Sequence, residues 1–221
     1  MRRLAALLLL VIPAPALAQA PLGILDALRR DFPLDHAALS AGLVGKPPQE
    51  ERRLAYAGID RFLHAHRDSI LAAPGPDLVA IEARQGALLR ALETRDVRLC
   101  AVVGDRGLFS PEALAGPAPP GLDEYGAALV AAAKAGAGAS AATAPASRED
   151  VPAWLAAVAK IEPAVPVRTM LSDRQARAAS SSGNLCRGAA AMHEAAVSLP
   201  AGQRERLART LLRSVIGSAA E

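Results

Sequence analysis

The chain has 221 residues, with 25 lysines and arginines against 22 aspartates and glutamates, and two cysteines. This composition excludes a disulfide-dense mini-protein, a highly charged disordered chain and a collagen-like repeat. Apolar residues make up 52% of the chain but aromatic residues only 3%, so the core must consist mainly of alanine, leucine, valine and isoleucine.

The N-terminus has the layout of a secretory signal peptide. Two arginines are followed by an apolar run over 4–12 and by an Ala-Leu-Ala triplet at 16–18, which suits cleavage. The run is about half of the ~20 residues that span a bilayer, which argues against a permanent transmembrane helix. We therefore expect a signal peptide over 1–18, a single helical domain over 19–221, and a periplasmic or secreted location.

Removal of this signal peptide changes the charge balance. Two of the 25 basic residues are lost, which leaves 23 against 22 acidic residues in the mature chain. A nucleic-acid partner requires a concentrated basic face, which this balance does not supply. The remaining length, about 200 residues, suffices for one sizeable hydrophobic core.

Helical periodicity dominates the first half of the mature chain. Prolines punctuate the pattern and set most helix boundaries. The predicted helices run from Ile24 to before Pro33, over about 35–44, from Pro47 to about Ala72, and from Pro76 to about Arg95, followed by a segment over 97–103. The run 100–103 is the only candidate strand.

The second half continues the same pattern with one long interruption. Ser110 is expected to cap one or two helical turns. Residues 133–147 contain no large apolar side chain, so we expect a flexible Ala/Gly-rich loop. The other predicted helices cover about 122–135, Ser147 to Pro163, Ser172 or Asp173 to about Leu199, and a last one through Val215. The sequence thus predicts an all-α, compact multi-helix bundle of about 7–9 helices.

The two cysteines form the firmest pattern. An even number of cysteines in an exported chain, each beside apolar residues in a predicted helix, predicts a Cys100–Cys186 disulfide. The closed loop of about 87 residues is worth on the order of 4–5 kcal/mol in the chain-entropy model. Two buried thiols are the alternative.

The histidine pair at 64 and 66 does not have the spacing of a metal clip, which requires i and i+4 on a helix. His66 falls on the apolar face with Ile59 and Phe62, whereas His64 lies in line with acidic residues. This pattern indicates one packed histidine and one surface ion pair. A metal or acid–base site completed by His36 or His193 is the alternative, although nothing in the sequence brings these residues together.

Gln85 is a polar residue on an otherwise apolar helix face, between Ile81 and Leu88. A buried amide must be hydrogen-bonded, so Gln85 could line a small polar cavity with Glu82 as a neighbour. We therefore group His66, Gln85 and Glu82 as a candidate polar site. A position at the edge of the helix is the alternative for Gln85.

The last predicted helix carries Arg206, Arg209 and Arg213 beside a stripe of Leu207, Leu211 and Val215. Such a helix could lie on an anionic membrane or dock a partner. The alternative is an ordinary solvated face over a buried one.

Catalytic, metal-binding and nucleotide-binding motifs are absent from the sequence. We predict no metal or cofactor, no nucleic-acid partner, and an exported, non-enzymatic helical module that binds a protein or a small ligand. One alternative is an enzyme of unfamiliar type with a histidine–carboxylate site near His66. The other is a peripheral membrane protein that uses its terminal helix.

Overall fold

Residues 23–108, 110, 113, 118–139 and 144–217 are described by a computed structural model. In these ranges the regular structure is α-helical, with no strand. The helices are α1 (Ile24–Asp31), α2 (Pro33–Leu43), α3 (Pro48–Ala65), α4 (Arg67–Ala72), α5 (Gly75–Arg95), α6 (Val97–Arg106), α7 (Leu122–Gly136), α8 (Asp150–Ile161), α9 (Val167–Ser172), α10 (Arg174–Ala178), α11 (Ser182–Ser198) and α12 (Ala201–Gly217).

The predicted all-α class is confirmed, but the predicted count of 7–9 helices is too low. Twelve helices are present in the described part of the chain. The run 100–103, the only candidate strand, lies within α6. The predicted signal peptide over 1–18 falls outside the described residues.

One of the additional helices arises from a break at His66. The predicted helix from Pro47 to about Ala72 is divided there into α3 and α4, because His66 has φ −105° and ψ 13°. Its carbonyl still accepts the N–H of Ile70 at 2.9 Å, so the chain changes direction without a long loop.

Another break divides the helix that was predicted from Ser172 or Asp173 to about Leu199. The Asp173 carboxylate caps α10 by accepting the N–H groups of Gln175 and Ala176. The Ser181 hydroxyl then caps α11 by accepting the N–H of Asn184. Two capping side chains within one small-residue segment therefore start two helices.

The predicted loop over 133–147 begins later than expected. Helix α7 continues to Gly136, and Ala133 is fully buried. The reason is close packing on α4: a Cβ atom at Gly136 would lie only 1.9 Å from the Ser69 carbonyl oxygen. Residues 140–143 of the predicted loop are outside the described part. The predicted turn after Ser110 is described only at Ser110 and Ala113, whose N–H lies 3.4 Å from the serine hydroxyl.

Helix α5 occupies the centre of the fold. It packs against α6, α7, α11 and α12, and the largest cluster of buried apolar residues surrounds it. Four of its apolar side chains are almost completely buried: Leu78, Ile81, Leu89 and Leu92. A second cluster lies around Trp154 and joins α8, α9, α11 and α12.

The predicted pairing of Cys100 with Cys186 is supported by the structure. Their Sγ atoms lie 2.00 Å apart and their Cα atoms 5.2 Å apart. Both residues are fully buried. The pair connects α6 to α11, two helices that also pack closely along their length.

Candidate functional site

A small group of polar side chains lies inside the core between α5, α7 and α11. Glu82 and Gln85 come from α5, Tyr125 from α7 and His193 from α11. Glu82 is fully buried, and its Oε2 lies 2.5 Å from Nδ1 of His193. The Tyr125 hydroxyl donates to Oε1 of Gln85 at 3.2 Å. We call these four residues the polar cluster.

The electrostatics of the polar cluster are dominated by the buried Glu82 carboxylate. A charge in the core is costly unless it is paired and hydrogen-bonded. His193 supplies a partner for one oxygen, while the other oxygen has none among the described residues. Burial raises the pKa of Tyr125 well above its usual range, and the nearby Glu82 carboxylate adds to this effect. Tyr125 therefore stays protonated and acts as a donor to Gln85.

The polar cluster borders a groove, because Gln85 and His193 line a cavity of about 500 Å³. We call this the inner cavity. Its apolar lining includes Trp154, Met192 and Leu211. The indole N–H of Trp154 donates to the Met192 carbonyl at 2.9 Å, which fixes the ring at the groove wall.

A second, outer cavity of about 820 Å³ adjoins the inner one. The two cavities share Asp105, Arg106, Leu171 and Arg177 in their linings. Arg177 of α10 pairs with Asp105 of α6 at 2.5 Å, so this ion pair joins two walls of the groove. Further apolar lining comes from Met170 and Leu185.

The described lining of the groove contains charged as well as apolar side chains. Asp105 pairs with Arg177 at 2.5 Å and lies 3.9 Å from Arg106, and Arg174 is a further cation in the outer cavity. The groove therefore combines apolar side chains, an arginine in the outer cavity and a histidine that contacts a buried carboxylate. This combination suits an elongated apolar ligand that carries an acidic group.

His66 does not belong to the polar cluster, so its grouping with Gln85 and Glu82 is corrected. Its ring packs on Phe32 and Phe62, with centroids 4.6 and 4.5 Å apart. Its Nε2 lies 3.4 Å from Oδ2 of Asp35 on α2. These contacts agree only in part with the prediction of a packed core histidine, because the His66 side chain is 25% exposed and pairs with Asp35. The grouping was wrong because helical periodicity places His66 on the apolar face of its own helix but does not show which other helix packs against that face.

His64 has the neighbour that its helical phase predicted. Its Nε2 lies 3.7 Å from the Asp60 carboxylate, four residues earlier on α3. Both side chains are about one-third exposed, so this is a surface pair.

His193 and Tyr125 are the members of the polar cluster that sequence reasoning did not select. His193 lies seven residues, or two helical turns, after Cys186, so the two share a face of α11. Cys186 was predicted to be buried, and that phase relation was the available signal for His193. Tyr125 lies four residues, about one helical turn, before the fully buried Leu129, so these two residues share a face of α7.

The three arginines of α12 do not form one exposed row, and the prediction for Arg209 is wrong. Arg209 is 3% exposed, and its guanidinium donates to the carbonyl oxygens of Leu71 and Ala73. Arg209 is three residues before Leu212, which is fully buried, so it lies on the buried face of α12. Burial lowers the pKa of Arg209.

The other two arginines have different surroundings. Arg206 donates two hydrogen bonds to the carboxylate of Asp150, at 2.9 and 2.7 Å. Arg213 is exposed. Arg213 is therefore the one arginine of the three whose side chain is exposed to solvent.

Two features are absent from the described residues. Within these ranges, no group of three or more histidine, cysteine or acidic side chains is arranged to hold a metal ion. No described helix combines the length and the apolar character that crossing a bilayer would require.

Comparison with protein-family models, with curated proteins and with solved structures finds no match to this chain. Its functional interpretation therefore rests on its own residues and their geometry.

Proposed function

We propose that this is an exported, non-enzymatic binding protein whose ligand is an elongated acidic amphiphile held in the groove. The observation that carries this proposal is the groove itself. Its inner cavity, about 500 Å³, has the size of a small-molecule site, and its lining combines apolar side chains with polar and charged ones. Arg174 in the lining of the outer cavity favours a negatively charged ligand.

Binding is favoured over nucleophilic catalysis by the arrangement of the serine in the inner cavity. Ser214 borders this cavity, but its hydroxyl donates to the Leu211 carbonyl at 2.6 Å. Its proton is thus directed at the backbone of its own helix and not at His193. The membrane-surface alternative loses support because Arg209 is buried.

Export is the second part of the proposal. The signal-peptide layout of residues 1–18 supports it, and so does the pair of sulfur atoms at bonding distance, since disulfides persist in oxidising compartments. We expect the protein in the periplasm or medium to begin at Gln19 and to weigh two hydrogens less than its reduced form. Intact-mass measurement before and after reduction tests both points. A product that retains Met1, or one whose mass does not change on reduction, would contradict the proposal.

Trp154, the only tryptophan of the chain, provides a direct test of ligand binding because it lines the inner cavity. A suitable probe is 1-anilinonaphthalene-8-sulfonate, an anionic aromatic dye that absorbs tryptophan emission. We expect saturable quenching of Trp154 emission by this dye. The variant Leu171→Asn removes an apolar side chain shared by both cavities, and it should weaken dye binding about fivefold through the lost apolar contact.

The matched control is Leu34→Asn on α2. Both leucines are exposed, Leu171 by 47% and Leu34 by 85%, so neither change opens the core. Leu34 is not part of the groove lining, and its replacement should leave the titration unchanged. Absence of quenching, or equal weakening by the two variants, would refute a binding site in the groove.

A further inference from the structure

We infer that His193 binds the acidic head group of the ligand, at the inner end of the groove, with its imidazole held in place by Glu82. This inference rests on the proposed binding function and specifies the chemistry of the ligand and its orientation. The sequence analysis named His193 only as a possible partner of the histidine pair at 64 and 66, so the assignment depends on the geometry of the polar cluster.

The contact with Glu82 fixes the position of the His193 imidazole ring. Nδ1 lies 2.5 Å from Oε2 of the fully buried Glu82, which makes Nδ1–H the donor of a short, charge-assisted bond. A carboxylate on one ring nitrogen sets the tautomer and orients the other nitrogen. Nε2 has no hydrogen-bond partner among the described residues, and the ring borders the inner cavity. Nε2 is therefore the ring atom available to a ligand.

An acidic ligand can bind to His193 in either protonation state of the imidazole. With Nδ1–H donated to Glu82, a neutral imidazole offers a lone pair at Nε2, which accepts the proton of a carboxylic acid. A protonated imidazole offers Nε2–H to a carboxylate. Both routes give the same complex, in which one proton lies between Nε2 and the ligand and the negative charge of Glu82 stabilises the imidazolium. An alcohol cannot form this ion pair.

The charged and titratable groups around His193 are compatible with this complex. Glu82 faces the ring from α5, and Gln85 and Tyr125 form a neutral hydrogen-bonded pair beside them. On α11 itself, the adjacent Glu194 has its carboxylate engaged by Arg90 at 2.8 and 2.9 Å. From α8, Trp154 contributes an indole ring that carries no charge. Glu82 is thus the acidic group that contacts the imidazole.

The apolar part of the ligand then has a continuous path along the groove. From the inner cavity it passes Trp154 and Met192 and reaches Leu171, which lines both cavities. Arg177, at the junction, already has its charge compensated by Asp105. The Arg177 guanidinium donates to both the carboxylate and the carbonyl oxygen of Asp105, whereas Nε2 of His193 has no partner among the described residues, and this difference favours His193 as the head-group site. Arg174, in the outer cavity, is the competing position.

The test compares two probes of equal chain length, decanoate and 1-decanol, by titration of Trp154 emission. We expect the wild-type protein to bind decanoate about tenfold more tightly, since a hydrogen bond to a charged group is stronger than one between neutral groups. His193→Gln should lose the preference for decanoate and bind both probes equally well. His64→Gln is the matched control, because His64 also neighbours a carboxylate but lies outside the groove.

A second variant keeps the test valid if His193→Gln is unstable. The double variant Glu82→Gln/His193→Gln removes both partners of the buried pair and leaves two amides that can bond to each other. It should also lose the preference for decanoate. Thermal unfolding of each variant shows whether the protein tested is folded.

The outcomes separate this inference from the proposed function. If neither probe quenches Trp154 in the wild-type protein, the binding function itself fails. If both probes bind equally well, or if folded His193→Gln keeps the preference for decanoate, the assignment of His193 is overturned while binding stands. If Arg174→Gln abolishes the preference and His193→Gln does not, the head group lies in the outer cavity.

Discussion

Asp150 is a single carboxylate that connects the start of α8 to α12. It is 1% exposed and accepts hydrogen bonds from the backbone and hydroxyl of Ser147 and from the guanidinium of Arg206. The hydrogen bonds from Arg206, which have the largest effect, and from Ser147 outweigh the opposing effect of burial and hold the pKa of Asp150 well below its usual range. A depressed pKa means that the ionised form stabilises the folded state.

We predict that Asp150→Asn lowers the unfolding temperature by several degrees at pH 7. Because the folded-state pKa is depressed, the contribution of Asp150 is fully present above its ordinary pKa of about 3.9 and is lost as the pH falls below that value. The difference between wild type and variant should therefore shrink below about pH 4. Thermal unfolding followed by circular dichroism from pH 7 to pH 2 measures it.

The control for this prediction is Asp26→Asn. Asp26 also pairs with an arginine, Arg29, at 2.7 Å, but both side chains are largely exposed. Exposed pairs contribute little to stability. A difference between Asp150→Asn and wild type that stays constant with pH would show that the charge of Asp150 is not the cause.

The burial of Arg209 is a property that the sequence pattern did not predict. Spacings of three and four residues place Arg206, Arg209 and Arg213 on neighbouring positions of a helix, and this pattern is typical of an exposed row. In the fold, Arg209 instead meets the carbonyls at the end of α4, where a cation is favoured by the helix dipole. These carbonyls come from a segment more than 130 positions earlier, which helical periodicity cannot reveal.

The packing of α7 on α4 depends on a small residue at the end of α7. Gly136 faces the Ser69 carbonyl and the Ala73 backbone nitrogen, with no room for a Cβ atom. Ala132 and Ala133 are fully buried on the same helix. A stretch without large side chains thus contributes to the core by close approach, which is why the low-complexity criterion placed the start of the loop too early.

We predict that Gly136→Ala destabilises the protein by about 2 kcal/mol, since the added methyl group must displace backbone atoms of α4. Gly42→Ala is the matched control, because a Cβ atom there meets nothing within 4 Å. This control should be neutral or stabilise the protein by up to about 1 kcal/mol through the better helix propensity of alanine. Urea unfolding of the two variants distinguishes the cases; equal stability would refute the close contact.

Helix boundaries were predictable where proline marks them and were missed at two other breaks, one at the Ser181 cap and one at His66, where no side chain caps α4. The end of α1 before Pro33 and the start of α5 near Pro76 follow from the restrictions that proline places on the backbone. The breaks at His66 and before Ser182 interrupt runs whose apolar periodicity continues. At such a break the helix boundary depends on side-chain contacts, such as the packing of the His66 ring on two phenylalanines.

For the molecule as a whole, periodicity established the all-helical class and the cysteine count predicted a pair that the structure supports. Two members of the polar cluster, Glu82 and Gln85, were also selected, because a polar residue on an apolar face is informative. The groove was not predicted, since it forms where α5, α6 and the helices from α8 to α12 come together. Such an association depends on long-range packing that a single sequence does not display.

The sulfur bridge between α6 and α11 closes a ring of backbone. Cys100 and Cys186 are 86 positions apart, and α7 to α10 lie between them. If a protease cuts one peptide bond anywhere within this ring, the two fragments remain covalently attached. The nicked product would then migrate as one species on a denaturing gel without thiol and as two once a reductant is added.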